Sequence, residues 1–480
     1  MRIRTAFTLA ILGTAIWAPC AHAQKEELSK SIERRADALW QTARTIWELA
    51  EPGYQETESS QILESMLDEA GFTIERNVAN IPTAFIATYG SGKPVIGLLG
   101  EFDALPGLSQ DAVPHRAPRV PGGYGHACGH HLFGVASASA AIAVAEQIEA
   151  GNIKGTVRFY ACPAEEGGAA KVFMVRDGLF DDCDAVLHWH PSGRNSAGDA
   201  TCLARVAVKF RFHGRSAHAS SAPDQARSAL DAVTITNHAA ELLREHAPDF
   251  TRIHHVITAG GRAPNVVPDF AEVFYYVRHP QGEVVRKLYD RLVLCAKAGA
   301  LATETRLEVE YIGGQLELLP NDVLSRVTLE NLRAENDLEF SEDDIRFANA
   351  LAETLDDPEP LSSITEVVDR KGTVSKGSTD VGDVSWVAPT TGFSTVCWVP
   401  GTPGHSWQAT ASGGTTIGRN GMLLAARVLA ATAWDLYHGP DVLAAAQAEH
   451  RMRLEKTPYA SLLEPDQKPP LDYRDAPMAR

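Results

Sequence analysis

The chain has 480 residues, of which 44% are hydrophobic and 22% charged, and its formal net charge is −17. These values are typical of a globular protein with two or three domains and exclude a low-complexity or fibrous chain. The negative charge argues against nucleic acid and anionic membrane surfaces as partners. The 7 cysteines are too few for a disulfide scaffold.

The first 23 residues have the pattern of a secretory signal peptide. Arg2 and Arg4 precede an apolar run over residues 6–18, and a small–x–small cleavage pattern ends at Ala23. This run is shorter than the roughly 20 apolar residues that a membrane span needs. We therefore expect cleavage after Ala23 and export to the periplasm or the medium, with no membrane span in the mature chain.

Helices alternate with short apolar strands after the leader. Amphipathic spacing predicts helices over 25–51 and 56–70, and an Ala-rich run predicts another over 132–150. Apolar runs bounded by turn residues predict strands at 83–89, 94–100, 156–162 and 185–190. This order is typical of an α/β layered domain with a largely parallel sheet.

The pattern changes near residue 203. Predicted strands and helices then follow the order β-α-β-β-α-β, with elements at 203–213, 225–246, 252–259, 271–278, 282–302 and 306–312. That order is the ferredoxin-like unit. Helices, a late strand at 394–399 and an Ala-rich helix to Tyr437 follow.

We therefore predict an α/β/α catalytic domain in two parts, interrupted by a ferredoxin-like domain. The predicted boundaries are 24–202 and 315–450 for the two catalytic parts and 203–314 for the inserted domain. Residues 451–480 are rich in proline and charge and are predicted to form a loose tail.

Potential metal ligands occur in four clusters, mostly after predicted strands. A single histidine is more often structural than a ligand, and adjacent glutamates usually lie on a solvated face. Thiolate, imidazole and carboxylate together, at strand ends, instead predict a site for zinc or a related divalent ion. The clusters are GHACGHH at 125–131, PAEEGG at 163–168, HWHP at 188–191 and GHS at 404–406.

Several motifs give the sequence a resemblance to metallopeptidase family 20, in its amidohydrolase branch of aminoacylases, hippurate hydrolases and related dipeptidases. They are GEFDALP at 100–106, CGH at 128–130, PAEEG at 163–167, WHP at 189–191 and GSTDVGDVS at 377–385. The resemblance covers nearly all of the mature chain. It implies the dinuclear zinc-peptidase fold, in which a ferredoxin-like lid interrupts the catalytic domain and forms the contact of a homodimer.

The resemblance also implies two divalent ions, zinc or manganese, and the residues that hold them. Glu165 resembles the general base, and Asp103 resembles the carboxylate that orients a ligand. Glu101 stands where other branches have a metal-binding histidine. The five implied ligands are Cys128, which bridges both ions, His130, Glu166, His190 and His405.

In the lid, His218 resembles a histidine that reaches the active site of the neighbouring subunit. Asn265 and Arg278 resemble substrate-contacting residues, although a surface position on a strand is the alternative for Arg278. The remaining histidines of the motifs, at 126, 131 and 188, are interpreted as structural or supporting residues.

The implied reaction is hydrolysis of an amide bond in an N-acyl-amino acid or a dipeptide-like substrate. Two divalent ions bridge and acidify a water molecule in such sites, Glu165 takes its proton, and His218 donates to the oxyanion. A serine hydrolase would need a Gly-x-Ser-x-Gly motif, which the sequence lacks. Cys128 as a nucleophile stays open, although its neighbours suit a metal better.

A protein without turnover is the alternative from another class. A periplasmic metal- or solute-binding protein of the same fold would share the metal ligands. It would not need Glu165 as a spare carboxylate, so the sequence favours an enzyme.

Overall fold

The computed structural model describes residues 17–198 and 200–474, so the first 16 residues of the predicted leader lie outside it. The helices are α1 (Trp17–Arg34), α2 (Ala36–Leu49), α3 (Thr57–Glu69), α4 (His130–Glu149), α5 (Ala170–Arg176), α6 (Ala229–Arg244), α7 (Gly282–Thr303), α8 (Asp322–Glu335), α9 (Glu342–Ala352), α10 (Val381–Val387), α11 (Trp407–Gly413), α12 (Thr416–His438) and α13 (Pro440–Lys456).

The strands form two sheets. They are β1 (Thr73–Arg76), β2 (Phe85–Gly90), β3 (Val95–Gly100), β4 (Thr156–Ala161), β5 (Ala185–Ser192), β6 (Asn195–Ala197), β7 (Ala204–His213), β8 (Arg252–Ala259), β9 (Phe270–His279), β10 (Arg306–Gln315), β11 (Val367–Asp369) and β12 (Thr390–Val396).

The larger sheet has eight strands in the order β1-β2-β4-β3-β5-β12-β6-β11. Its centre is parallel, because β3 pairs with β4 and β5, and β5 pairs with β12, in parallel register. Its edges are mixed, since β2 runs antiparallel to β1 and β4, and β6 runs antiparallel to β12. The α/β prediction is confirmed, and the sheet is mixed, with parallel pairing in its middle and between β6 and β11 at one edge.

Helices α4 and α12 pack against this sheet and against each other in the main core. Alanine, serine and glycine supply 9 of the 20 residues of α4, so neighbouring elements can approach it closely, and nearly all of its residues are buried. Within the described part of the chain, α4 alone has the length and apolar character of a membrane span, and 89% of its most apolar window is buried inside the structure. We therefore interpret α4 as a core helix.

The smaller sheet is antiparallel, in the order β10-β7-β9-β8, and α6 and α7 pack on it. The chain order β7-α6-β8-β9-α7-β10 is the predicted ferredoxin-like order. This unit has its own core, which includes Phe210, Tyr275 and Leu292. We call it the lid; the domain boundaries themselves stay predictions.

The C-terminal segment differs from the predicted loose tail. It is helical to Lys456, and the described residues 457–474 contact both units. Leu462 is buried in the lid core, whereas Tyr473 packs beside Tyr54 of the catalytic unit. The segment is rich in proline and charged residues, which predicted a loose tail. Its few apolar side chains are the ones that pack against the fold.

Candidate active site

The chemistry-bearing residues meet at the carboxyl ends of the parallel strands. Glu101 and Asp103 directly follow β3, the Glu165–Glu166 pair follows β4, and His190 lies in β5. Open α/β sheets place their sites at this edge. The order of the strands therefore explains why motifs far apart in the sequence lie together.

A tight turn at the start of α4 brings Cys128 and His130 into the same site. Gly129 between them has φ = 76°, a left-handed conformation that favours glycine. A Cβ atom at this position would lie 2.7 Å from Cβ of Pro191, so a larger residue would collide with the end of β5, next to His190. The turn fixes both potential ligands at the end of the helix.

Two triads of potential ligands share the Cys128 thiol. One consists of Cys128, His130 and His190, and the other of Cys128, Glu166 and His405; within each triad the ligand atoms lie within 4.8 Å of one another. Cys128 Sγ is 3.2 Å from His190 Nε2, and His405 Nε2 is 3.1 Å from Glu166 Oε1. All five residues that the resemblance implies as ligands are thus brought together.

Asp103 accepts a hydrogen bond from one residue of each triad. Its Oδ1 accepts a hydrogen bond from His130 Nδ1 at 2.8 Å, and its Oδ2 accepts one from the Glu166 backbone N–H at 2.9 Å. Because Nδ1 of His130 is occupied, its Nε2 is the atom left for a ligand. Asp103 therefore lies where an orienting carboxylate would lie.

The two adjacent glutamates have opposite electrostatic environments. Burial, reinforced by Glu101 and Glu166, raises the pKa of Glu165 well above its ordinary value. Burial also acts to raise the pKa of Glu166, but the close polar contact and the charge of His405 outweigh it and lower that pKa to about 2. A pair of carboxylates with diverging pKa values is typical of a division of roles between base and ligand.

The donor set fits divalent cations. His130 Nε2 and Glu166 Oε1 are buried and form no hydrogen bond of good geometry among the described residues, although Glu101 Oε2 and His405 Nε2 approach them to 3.2 and 3.1 Å. Both atoms lie beside the Cys128 thiol, so sulfur, nitrogen and oxygen donors converge on one place. This combination is characteristic of zinc-type sites.

A cavity of about 570 Å³ opens from this cluster towards the lid. Arg278 lines it, and its Nη1 donates a hydrogen bond to Ser378 Oγ at 3.2 Å. His218 and Asn265 lie close together in the lid, because the backbone N–H of Ala219 donates to the Asn265 carbonyl. Neither of these two residues is among the described residues that line the cavity.

Two of the other three histidines of the motifs, His126 and His131, serve the scaffold. His126 Nε2 lies 3.1 Å from the Ile46 carbonyl, and His131 Nε2 lies 3.0 Å from the Gly413 carbonyl. His188 is partly exposed and lines the cavity, and desolvation lowers its pKa to about 3. None of the three occurs in a ligand triad of the described residues.

Sequence reasoning missed a buried ion network next to the site. Lys171 Nζ lies 2.7 Å from Glu101 Oε1 and 2.5 Å from Asp380 Oδ1, and all three side chains are at most 2% exposed. Although burial acts to lower it, the pKa of Lys171 is raised well above its ordinary value by Asp380 and Glu101. The signal was a lysine inside the otherwise apolar run of α5.

This network yields a stability prediction. Lys171→Met leaves two carboxylates buried without a counter-charge, which typically costs about 3–5 kcal/mol. We expect a clearly lower unfolding midpoint in urea, whereas the exposed Lys154→Met control should stay within about 0.5 kcal/mol of the wild type. Adding Glu101→Gln and Asp380→Asn to Lys171→Met should recover stability. A Lys171→Met midpoint equal to that of the control would contradict this account of the network.

Comparisons with known proteins agree with this geometry. Residues 97–406 match the sequence profile of the Peptidase family M20/M25/M40. A p-aminobenzoyl-glutamate hydrolase subunit of Escherichia coli (strain K12) is 40% identical over 460 residues, which cover 90% of this chain and 96% of the relative. The Xaa-Arg dipeptidase of Homo sapiens is 27% identical, covering 91% of this chain and 94% of the relative.

Solved structures share the fold at lower identity. A putative aminohydrolase from methicillin-resistant Staphylococcus aureus has a TM-score of 0.63 and 19% identity, covering 86% of this chain and 99% of its own. An aminobenzoyl-glutamate utilization protein from Klebsiella pneumoniae has a TM-score of 0.60 and 16% identity. The match covers 85% of this chain and 98% of the Klebsiella chain. A dinuclear metal-binding peptidase from Bacillus subtilis has a TM-score of 0.56 and 18% identity. The match covers 85% of this chain and 99% of the Bacillus chain.

Proposed function

Because the chain belongs to the Peptidase family M20/M25/M40 and is a metallo-amidohydrolase, we propose that it hydrolyses the amide bond of an N-acyl-amino acid or a dipeptide-like compound. Its 40% identical relative is named for p-aminobenzoyl-glutamate. The observation that carries the proposal is the pair of ligand triads sharing Cys128, with Glu165 beside them, at the head of the cavity.

Five residues would hold two divalent ions, zinc or manganese: Cys128, His130, Glu166, His190 and His405. Such ions supply Lewis acidity and lower the pKa of a water molecule. Every other contribution comes from the chain itself. Asp103 keeps the ring of His130 oriented, and His405 keeps Glu166 ionised.

Glu165 is the proposed general base. Its raised pKa makes it a stronger proton acceptor than an ordinary glutamate once it is ionised. It would accept the proton of the attacking water and then deliver it to the amine that leaves. Arg278, on the lid side of the cavity, would bind the carboxylate next to the scissile amide, because a guanidinium binds a carboxylate through two parallel hydrogen bonds.

The proposal is tested by a panel of substrates given to the metal-reconstituted enzyme. We expect release of free amine from N-acyl-amino acids with a free carboxylate, and markedly slower release from the matching carboxamides. Loss of one charge-assisted hydrogen bond corresponds to about 1.5–3 kcal/mol of transition-state binding. Lack of turnover across acyl-amino acids and dipeptides would favour the alternative of a binding protein without catalysis.

Metal content gives a second, independent test. We expect about two divalent ions per subunit by elemental analysis, since five ligands exceed the four of one tetrahedral site. Cys128→Ala should lose most of this metal because Cys128 belongs to both triads. Cys295→Ala, in helix α7 of the lid, is the matched control and should keep the full content. If Cys128→Ala keeps its full metal content, Cys128 is not a ligand shared by the two ions.

We also propose a homodimer formed through the lid. The edge strand β8 exposes Val256 and Ile257, by 56% and 44%, and an unpaired apolar edge is suited to pairing with a second copy. His218 and Asn265 would then reach the site of the partner subunit.

Export with cleavage after Ala23 remains a proposal from the leader pattern. N-terminal sequencing of the mature protein would test it.

A further inference from the structure

Two arginines lie opposite one another in the lid sheet. Arg205 of β7 and Arg278 of β9 are direct register partners. Like charges at opposite positions normally destabilise a sheet. Both side chains line the cavity that opens from the ligand triads.

The contacts of both guanidinium groups within the described residues are neutral. Arg205 is only 7% exposed, and its Nη2 donates to Gln315 Oε1 at 2.7 Å. Arg278 donates to Ser378 Oγ, and Nε of both arginines is buried without a hydrogen-bond partner. The buried Arg205 and the half-buried Arg278 thus form no ion pair with a carboxylate of the described residues, although the chain has 61 acidic residues against 44 basic ones.

Another arginine on the same face of β7 provides the contrast. Arg211 contacts the carboxylates of Glu272, Glu308 and Glu310. Positions 205 and 211 are an even number of residues apart and so point to the same side of the sheet. On β7, carboxylates thus neutralise Arg211, which lies away from the cavity. Arg205, which lines the cavity, has no such carboxylate.

Tyr276 holds the two guanidinium groups in place. The Cζ atoms of Arg205 and Arg278 lie 4.8 and 5.6 Å from the centroid of its ring. Such cation–π contacts restrict a guanidinium without consuming its hydrogen-bond donors. The donors that Gln315 and Ser378 do not occupy, among them Nε of both arginines, stay available for an anion.

We propose that Arg205 and Arg278 form a dicarboxylate subsite, which selects N-acyl derivatives of an acidic amino acid. This inference rests on the proposed amide hydrolysis. Arg278 binds the carboxylate beside the scissile amide, and Arg205 binds the carboxylate of the substrate's side chain. Glutamates line the metal end of the cavity and arginines the lid end, so a dianionic amino-acid moiety is drawn towards the lid with its amide facing Glu165.

The subsite also discriminates between the substrates named for two relatives. One relative is named for a glutamate conjugate and the other for dipeptides ending in arginine. A substrate with an arginine side chain would bring a third positive charge to this wall, and Arg370 lines the cavity as well. The electrostatics therefore favour the acidic side chain.

The test compares p-aminobenzoyl-glutamate with p-aminobenzoyl-glutamine, which differ only in the side-chain charge. The wild type should prefer the glutamate compound in kcat/KM. Arg205→Gln should reduce this preference about ten- to a hundredfold, the size of effect expected when a charged hydrogen bond is lost. Arg205→Lys keeps the positive charge and should therefore retain part of the preference for the glutamate compound. Arg211→Gln is the matched control on the same strand and should keep the wild-type ratio.

A binding measurement separates this inference from the proposed function. Calorimetry on the metal-loaded wild type should show tighter binding of glutarate than of butyrate, and Arg205→Gln should abolish the difference even if no substrate is cleaved. Hydrolysis without any preference for the glutamate compound would overturn the subsite and leave the proposed function intact. Equal binding of glutarate and butyrate by the wild type would also overturn it.

Discussion

Glu165→Gln should lower kcat by about two to four orders of magnitude while leaving the bound metal in place. A general base of this kind contributes roughly that much to the rate. Glu165 is absent from both triads that share Cys128. It lies in a third cluster with Glu101 and His130, but there the Glu101 carboxylate is already paired with Lys171.

Glu166→Gln is the matched comparison, since it makes the same chemical change one residue away. Glu166 Oε1 lies beside His405 and the Cys128 thiol, so the amide should weaken metal binding. We expect lower metal content at equal protein concentration, with partial recovery of activity at high metal concentration. Glu165→Gln should gain nothing from added metal. If Glu165→Gln loses metal and Glu166→Gln keeps it, the roles of the two residues are reversed.

The sequence predicted those features whose signal lies within a few residues. Cys128 and His130 are separated by a single glycine, and Glu165 and Glu166 follow an apolar strand, so spacing and position alone marked them. The central strands of the large sheet were predicted for the same reason, since they are short apolar runs bounded by turns. Strand β12 begins at Thr390, four residues before its predicted start, because polar threonines open it.

The features that the sequence did not reveal depend on contacts between distant segments. β6 and β11 are three residues each and exist through pairing with neighbours, not through a pattern of their own. The ion pairs of Lys171 join three separate segments, and the register that opposes Arg205 to Arg278 appears only when β7 and β9 pair. The predicted helix over 25–51 is divided at Arg35, whose Nη1 forms an ion pair with Glu146 of α4.

His218 presents the reverse case, a residue that the sequence singled out and that lies away from the cavity of its own chain. Its Nδ1 accepts hydrogen bonds from the backbone N–H groups of Ser220 and Ser221, which orients the ring on an exposed loop. We therefore propose that a role of His218 in catalysis would be exerted on the site of a second subunit. If the proposed lid-mediated dimer forms, each active site combines Glu165 of one subunit with His218 of the other.

Co-expression of two inactive variants tests this arrangement. Glu165→Gln and His218→Ala should each be nearly inactive as pure dimers. In a mixed dimer one site carries both lesions and the other carries none. Random pairing makes half of the dimers mixed, so about a quarter of the wild-type activity should return. Glu165→Gln co-expressed with Glu166→Gln is the control, because both lesions lie in the catalytic unit and no intact site can form. Recovery no greater than the sum of the two residual activities would mean that His218 has no role across the dimer.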